Sequence, residues 1–169
     1  MQKLYCFSRQ DFNDYCDIRG WTDDNLPGNS CFISICNTQD GSDYMFPEEL
    51  EHHFKIETPE VINLNFDDTD EPRTLWNGKI SLIGMSQEQA DRLAEFIERN
   101  QTKDIYVHCE AGLSRSQGVV RYILDIYGDS HEFELNRYNP CLTPNLYVTS
   151  LLKRAYYKIK GYEDYNFTE

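Results

Sequence analysis

Apolar positions along the chain follow two periods. Residues 31–36 are almost continuously apolar and β-prone, which predicts a buried strand. Residues 61–66 alternate, with Val61, Leu64 and Phe66 among polar neighbours, and predict a second strand. Residues 105–108 predict a third, and residues 3–7 alternate weakly enough for an edge strand. The helical period appears after Ser86, whose pairing with Gln89 is a capping box. Ala90, Leu93, Ala94, Phe96 and Ile97 then share one face as far as Asn100. Another helix opens at Arg115, carries Val119, Val120, Ile123 and Leu124, and ends at Tyr127 with Gly128 as its C′ residue. A last helix is predicted with Thr143 as N-cap and Pro144 at its first position. It buries Val148, Leu151, Leu152, Ala155, Tyr156 and Ile159 and stops at Gly161. Short helices are predicted over 9–16, capped by Ser8, from Phe46 and Pro47 through Phe54, and within 130–138. Residues 21–30, 37–44 and 139–144 read as loops. In the connection 73–85, Asn77-Gly78 fits either a small hairpin turn or a loop.

Strands alternating with helices predict an α/β fold: a central, mostly parallel sheet of four to five strands, with helices on both faces. A ligand site then belongs at the carboxyl ends of the strands, where Cys36, residues 66–68 and His108-Cys109 all end. The length of 169 residues suits one domain, with a core over about 31–160 and a loose tail over 161–169.

Charge and cysteine usage narrow the partners. The net charge is −13. It disfavours nucleic acid and anionic membranes, and confines any attraction for phosphate to a local cradle. No apolar run is long enough to span a bilayer, and the first residues lack a signal-peptide core. The expectation is therefore a cytoplasmic protein, in a host cytoplasm if it is viral, and a monomer. The six cysteines form no C-x-x-C pair and no zinc-spaced set, so they read as reduced thiols with no metal and no cofactor. His52 and His53 read as helix-surface residues rather than ligands.

The chemistry concentrates between Ile105 and Gly118. A strand, a loop of small residues and a helix start form an anion cradle, because N–H groups at a helix start are unpaired and the dipole favours negative charge there. The loop begins with Cys109 and ends with Arg115. The N–H dipoles and the guanidinium favour the thiolate, and Arg115 can grip two phosphate oxygens at once. The pattern His108-Cys109-x-x-Gly112-x-Ser114-Arg115 resembles the signature loop of the cysteine-dependent protein tyrosine phosphatases. In length the chain is similar to their small dual-specificity branch, with the likeness running over about residues 31–157.

That resemblance implies hydrolysis of phosphotyrosine in proteins, and of phosphoserine or phosphothreonine in a shallow pocket, through a phosphocysteine intermediate. Cys109 would be the nucleophile. Arg115 and the loop amides of Glu110, Ala111, Gly112, Leu113 and Ser114 would hold the phosphoryl oxygens. Ser114 would hydrogen-bond the sulfur, and His108 would order the loop. The family's general acid is an aspartate after the preceding strand. Asp68 fits it best, with Asp70 and then Asp67 as alternatives. Pro144-Asn145 resembles a structural step of the same branch. Cys36 is either a core cysteine or, as in some relatives, a redox partner of the nucleophile. Two other functions stay open: a phosphatase of phosphoinositides or RNA 5′-phosphates, which Glu110 and the acidic charge oppose, and a phosphate-binding pseudophosphatase without turnover.

Overall fold

A computed structural model describes residues 1–38, 47–75, 78, 80–136 and 143–162, without the side chains of residues 47, 49 and 80. The predicted loops over 39–44 and 139–142, together with Phe46, Trp76, Asn77, Cys141 and the tail from 163, lie outside the described residues.

The chain is α/β. It has seven described strands: β1 (Gln2–Ser8), β2 (Ser30–Cys36), β3 (Val61–Asn65), β4 (Arg73–Leu75), β5 (Ile80–Leu82), β6 (Asp104–Cys109) and β7 (Phe133–Leu135). Its four described α-helices are α1 (Arg9–Ile18), α2 (Gln87–Asn100), α3 (Arg115–Tyr127) and α4 (Leu146–Ile159). Five strands form one sheet in the order β3-β2-β6-β1-β7, with every pairing parallel. β6 is therefore the middle strand, and Cys109 ends it.

The apolar pattern explains the layers. Every residue of β2 is buried, as expected for a strand covered on two sides. Alternate residues divide between two apolar clusters. Cys31, Ile33, Ile105 and Val107 join residues of α2, α3 and α4, while Phe32 and Tyr106 join Phe12 and Cys16 of α1. The face predicted for α2 is the buried one, and Ser86 and Gln89 close its capping box. Ser8 caps α1 through the Asp11 amide. No helix among the described residues is long and apolar enough to cross a membrane.

Tertiary contacts overrode the local signals in several places. Residues 3–7 do not form an edge strand, because β7 pairs outside β1 and makes it an inner one. β7 itself replaces the short helix predicted within 130–138. Its three residues gain ladder bonds to Gln2, Lys3 and Leu4 that an isolated helical turn could not match. The helix predicted through Phe54 is only a 3-10 turn, Pro47–Leu50. Beyond it, Phe54 is drawn into the aromatic cluster, and His52 and His53 hydrogen-bond elsewhere. Helix α4 is capped by Asn145, which accepts from the Val148 amide, and not by Thr143. Thr143 is held by Gln117 and the Leu113 carbonyl instead. Gly128 caps α3 in right-handed backbone with φ −62°, so it is not a left-handed C′ residue. β4 and β5 pair antiparallel, and Asn77, on which the turn reading rests, lies outside the described residues.

Candidate active site around Cys109

The loop between β6 and α3 is seated on β1. Strand pairing sets Ser8 opposite Cys109, and the Arg9 amide donates to the Glu110 carbonyl at 3.1 Å. Gly112 crosses β1 with φ +70°. A Cβ there would lie 2.6 Å from the Ser8 nitrogen and 2.7 Å from the Phe7 carbonyl carbon, so only glycine fits. This contact curls the loop back over the cysteine, and the Gly112 N–H points at Cys109 Sγ from 3.3 Å. Gln117 pins the turn by donating to the Gly112 carbonyl at 3.0 Å. Cys109 is buried at the bottom.

The hydroxyl on the sulfur belongs to Ser116, whose Oγ lies 3.1 Å from Cys109 Sγ. Ser114 does not take that place. It precedes α3 with φ −131° and ψ −75°, makes no capping bond and points out of the loop. Ser116 sits inside the first turn, fully buried and turned toward the sheet. The Cys6 thiol of β1 lies 3.1 Å from the same Ser116 oxygen and 3.7 Å from the Gly112 carbonyl oxygen. Ser116 was legible only as the second of two serines flanking the arginine; its inward turn follows from its place in the helix.

Arg115 is buried, and its Nη1 donates to the Phe66 carbonyl at 2.7 Å. Its Nε is buried without a hydrogen-bond partner. A buried donor left unpaired costs ~1–3 kcal/mol, and more when it is charged, unless a ligand satisfies it. Glu110 is engaged away from the cradle, with Oε2 3.0 Å from Arg9 Nε. Its charge is thereby offset, and the loop is less acidic than its sequence implies. Arg9 lies about a hundred residues upstream, so only the β1–β6 pairing reveals it. Ala111 and Leu113 are exposed on the rim.

The three aspartates separate cleanly. Asp67 is buried and accepts from the Thr38 amide, the Thr38 hydroxyl and the Ile83 amide, so it is a structural clamp. Asp70 pairs with Arg73 at the surface. Asp68 is the one brought to the loop. Its Oδ1 accepts from Ser114 Oγ and from Asn145 Nδ2, each at 2.7 Å. Asn145 thus both caps α4 and holds the candidate acid. A cleft of about 320 Å³ opens beside Asp68, lined also by Thr69, Asp70, Arg73 and Tyr147.

Cys36 touches other partners. Its thiol lies 3.5 Å from the Glu51 carbonyl and 3.4 Å from His52 Nδ1, and burial pushes its pKa up to about 11. It occurs as a free thiol, as do Cys6, Cys16, Cys31 and Cys109. No group of three His, Cys, Asp or Glu among the described residues has the placement of a metal site.

His108 is fully buried, stacked on Phe12 with ring centroids 4.5 Å apart. Burial pulls its pKa down to about 3 from 6.5. An unfolded histidine takes a proton below about 6.5, whereas the folded one resists until near 3. The unfolded state therefore binds more protons in that window. Stability is full above about pH 6.5 and falls as pH drops, by up to ~1.4 kcal/mol per unit from this group. His108→Asn is expected to flatten that limb. Melting curves of both proteins from about pH 7 to about pH 4.5 check this, and parallel curves would contradict it.

No family model, curated protein or solved structure matches this chain.

Proposed function

We propose that this protein is a cysteine-based phosphomonoesterase acting on phosphotyrosine, and on phosphoserine or phosphothreonine, in proteins. The observation that carries the reading is the buried Arg115 Nε without a partner, on the loop that also turns the Gly112 N–H and the Ser116 hydroxyl onto the Cys109 sulfur. A buried guanidinium with an unmet donor fits an anion, and a thiol with two donors aimed at it fits a thiolate. Cys109 attacks phosphorus and the ester oxygen leaves. Water then cleaves the S–P bond and releases phosphate. Arg115 and the loop amides carry the charge of the transferring group. Ser116 stabilises the sulfur as it leaves. Asp68 gives its proton to the departing oxygen and returns to its place between Ser114 and Asn145. The open cleft beside Asp68 leaves room for a peptide on that side. A monomer in a reducing, cytoplasmic setting goes with this reading, because the thiol must stay reduced.

Asp68→Asn separates acid from nucleophile. An aryl phosphate with a good leaving group barely needs a proton, whereas a phosphoserine peptide does. The variant is expected to keep most aryl phosphate turnover and to lose about 10²-fold or more of kcat on the peptide. Steady-state assays without added metal measure both. No aryl phosphate turnover by the wild type would favour a binding protein instead. Turnover of an RNA 5′-phosphate or an inositol lipid, but of no peptide, would replace the substrate class.

A further inference from the structure

A groove of about 710 Å³ opens between α1, β1 and the end of β7, on the face of the sheet that α1 covers. Three aromatic rings line it. Phe7 and Tyr15 lie 5.0 Å apart between centroids, and Tyr5 meets Tyr15 edge-on at 6.4 Å and 79°. Helical spacing sets Asp11 and Asp14 on the same side of α1 as Tyr15. Glu134 of β7 joins them, and its carboxylate accepts from the Tyr5 hydroxyl. The proposed reaction uses none of these residues.

Charge and ring chemistry define what the groove suits. Three carboxylates line it against one guanidinium, that of Arg19, among the described residues. Arg19 is stacked on Tyr15, 3.4 Å from the ring centroid. Asp14 accepts only from the neutral amide of Gln10. Among the described residues, none of Asp11, Asp14 and Glu134 forms an ion pair. The rings draw cations as well, as Arg19 over Tyr15 and Lys3 over Tyr5 at 5.8 Å show. A ligand that meets both demands has an aliphatic stem for the rings and a cationic head for the carboxylates. The volume exceeds that of a single side chain and leaves room for its neighbours. The chain's own tail does not qualify, because Glu163, Asp164 and Glu169 carry the same sign as the groove.

We infer that the groove is a docking site for a lysine-bearing segment of a partner protein. The lysine stem lies along Tyr5, Phe7 and Tyr15, and its ammonium sits among Asp11, Asp14 and Glu134. The inference goes beyond the phosphatase reading and does not need Cys109 to be a nucleophile. The groove begins within one helical turn of the loop. Ser8 stands opposite Cys109 in the sheet and caps α1 through the Asp11 amide. A partner held there is therefore held beside the candidate active site.

A short blocked peptide of alternating leucine and lysine, titrated into the full chain and followed by amide and aromatic-ring NMR, tests this. Shifts are expected at Tyr5, Tyr15, Asp14 and Glu134. The same peptide with glutamine for each lysine is expected to bind at least about tenfold more weakly. Asp14→Asn combined with Glu134→Gln removes two exposed charges and is expected to raise the Kd of the lysine peptide about fivefold or more. Glu88→Gln combined with Asp129→Asn removes the same charge at α2 and just beyond α3, the helices of the opposite face, and is expected to raise it less than about twofold. A net charge of −13 attracts any basic peptide, so this pair separates the groove from general attraction. Equal weakening in the two double variants would overturn the inference. Wild-type shifts centred away from Tyr5 and Tyr15 would overturn it even if no variant folds. Spermidine binding in the groove as tightly as the peptide would overturn the choice of a protein segment. No readout uses turnover, so a failure of the phosphatase reading shows separately, in the wild-type aryl phosphate assay.

Discussion

Cys109→Ser is expected to lower phosphomonoester turnover at least about 10⁴-fold while leaving the fold and phosphate binding in place. The substitution exchanges sulfur for oxygen at a buried site whose neighbours are hydrogen-bond donors, the Gly112 N–H and the Ser116 hydroxyl. A serine oxygen accepts from both, so packing changes little. The chemistry changes greatly. Sulfur is the stronger nucleophile and the better leaving group from phosphorus, and a serine hydroxyl matches it in neither respect. Arg115 and the amides remain, so inorganic phosphate should still bind. Calorimetric phosphate titration beside a turnover assay measures the two effects. Loss of binding together with turnover would assign Cys109 a structural role.

Gly112→Ala is expected to destabilise the protein by at least about 3 kcal/mol and to inactivate it. Two costs add. At φ +70° alanine pays about 1 kcal/mol or more for left-handed backbone. Its Cβ would also stand 2.6 Å from the Ser8 nitrogen and 2.8 Å from the Phe7 carbonyl oxygen. Those atoms are backbone of an inner strand and cannot turn aside, so either β1 or the loop must shift. A loop that lifts loses the Gly112 N–H on the sulfur. For a chain of this size, melting should fall by roughly 6–12 °C. Differential scanning calorimetry measures this, and a melting point within about 2 °C of wild type would contradict the close crossing.

Why some of this was legible in the sequence follows from the range of each interaction. The β6–α3 loop is local: an apolar strand, a run of small residues and a helical period follow one another within fourteen residues, from Ile105 to Gly118. The parallel sheet was legible for the same reason, since β2 is apolar enough to need cover on two sides and the strand periods alternate with helical ones. The acid was only half legible. Three aspartates stand within four residues, and what separates them lies elsewhere. Thr38 and Ile83 bury Asp67, whereas Ser114 and Asn145 draw Asp68 to the loop. Ser114 and Ser116 both flank the arginine, and the helix start turns only the second inward. His52 reads as a surface residue on a short helix, because its partners Ser34 and Asn65 are 18 and 13 residues away along the chain. β7 is three residues long, too short for a period to show.

Cys109 is expected to carry the phosphoryl group during turnover. A single-turnover reaction with an aryl phosphate, quenched under denaturing conditions and mapped by mass spectrometry, reads this out. The expected product is a peptide phosphorylated on Cys109, absent from Cys109→Ser and accumulating when the reaction is stopped early. Turnover by wild-type protein with phosphate on another residue, or undiminished turnover by Cys109→Ser, would contradict it.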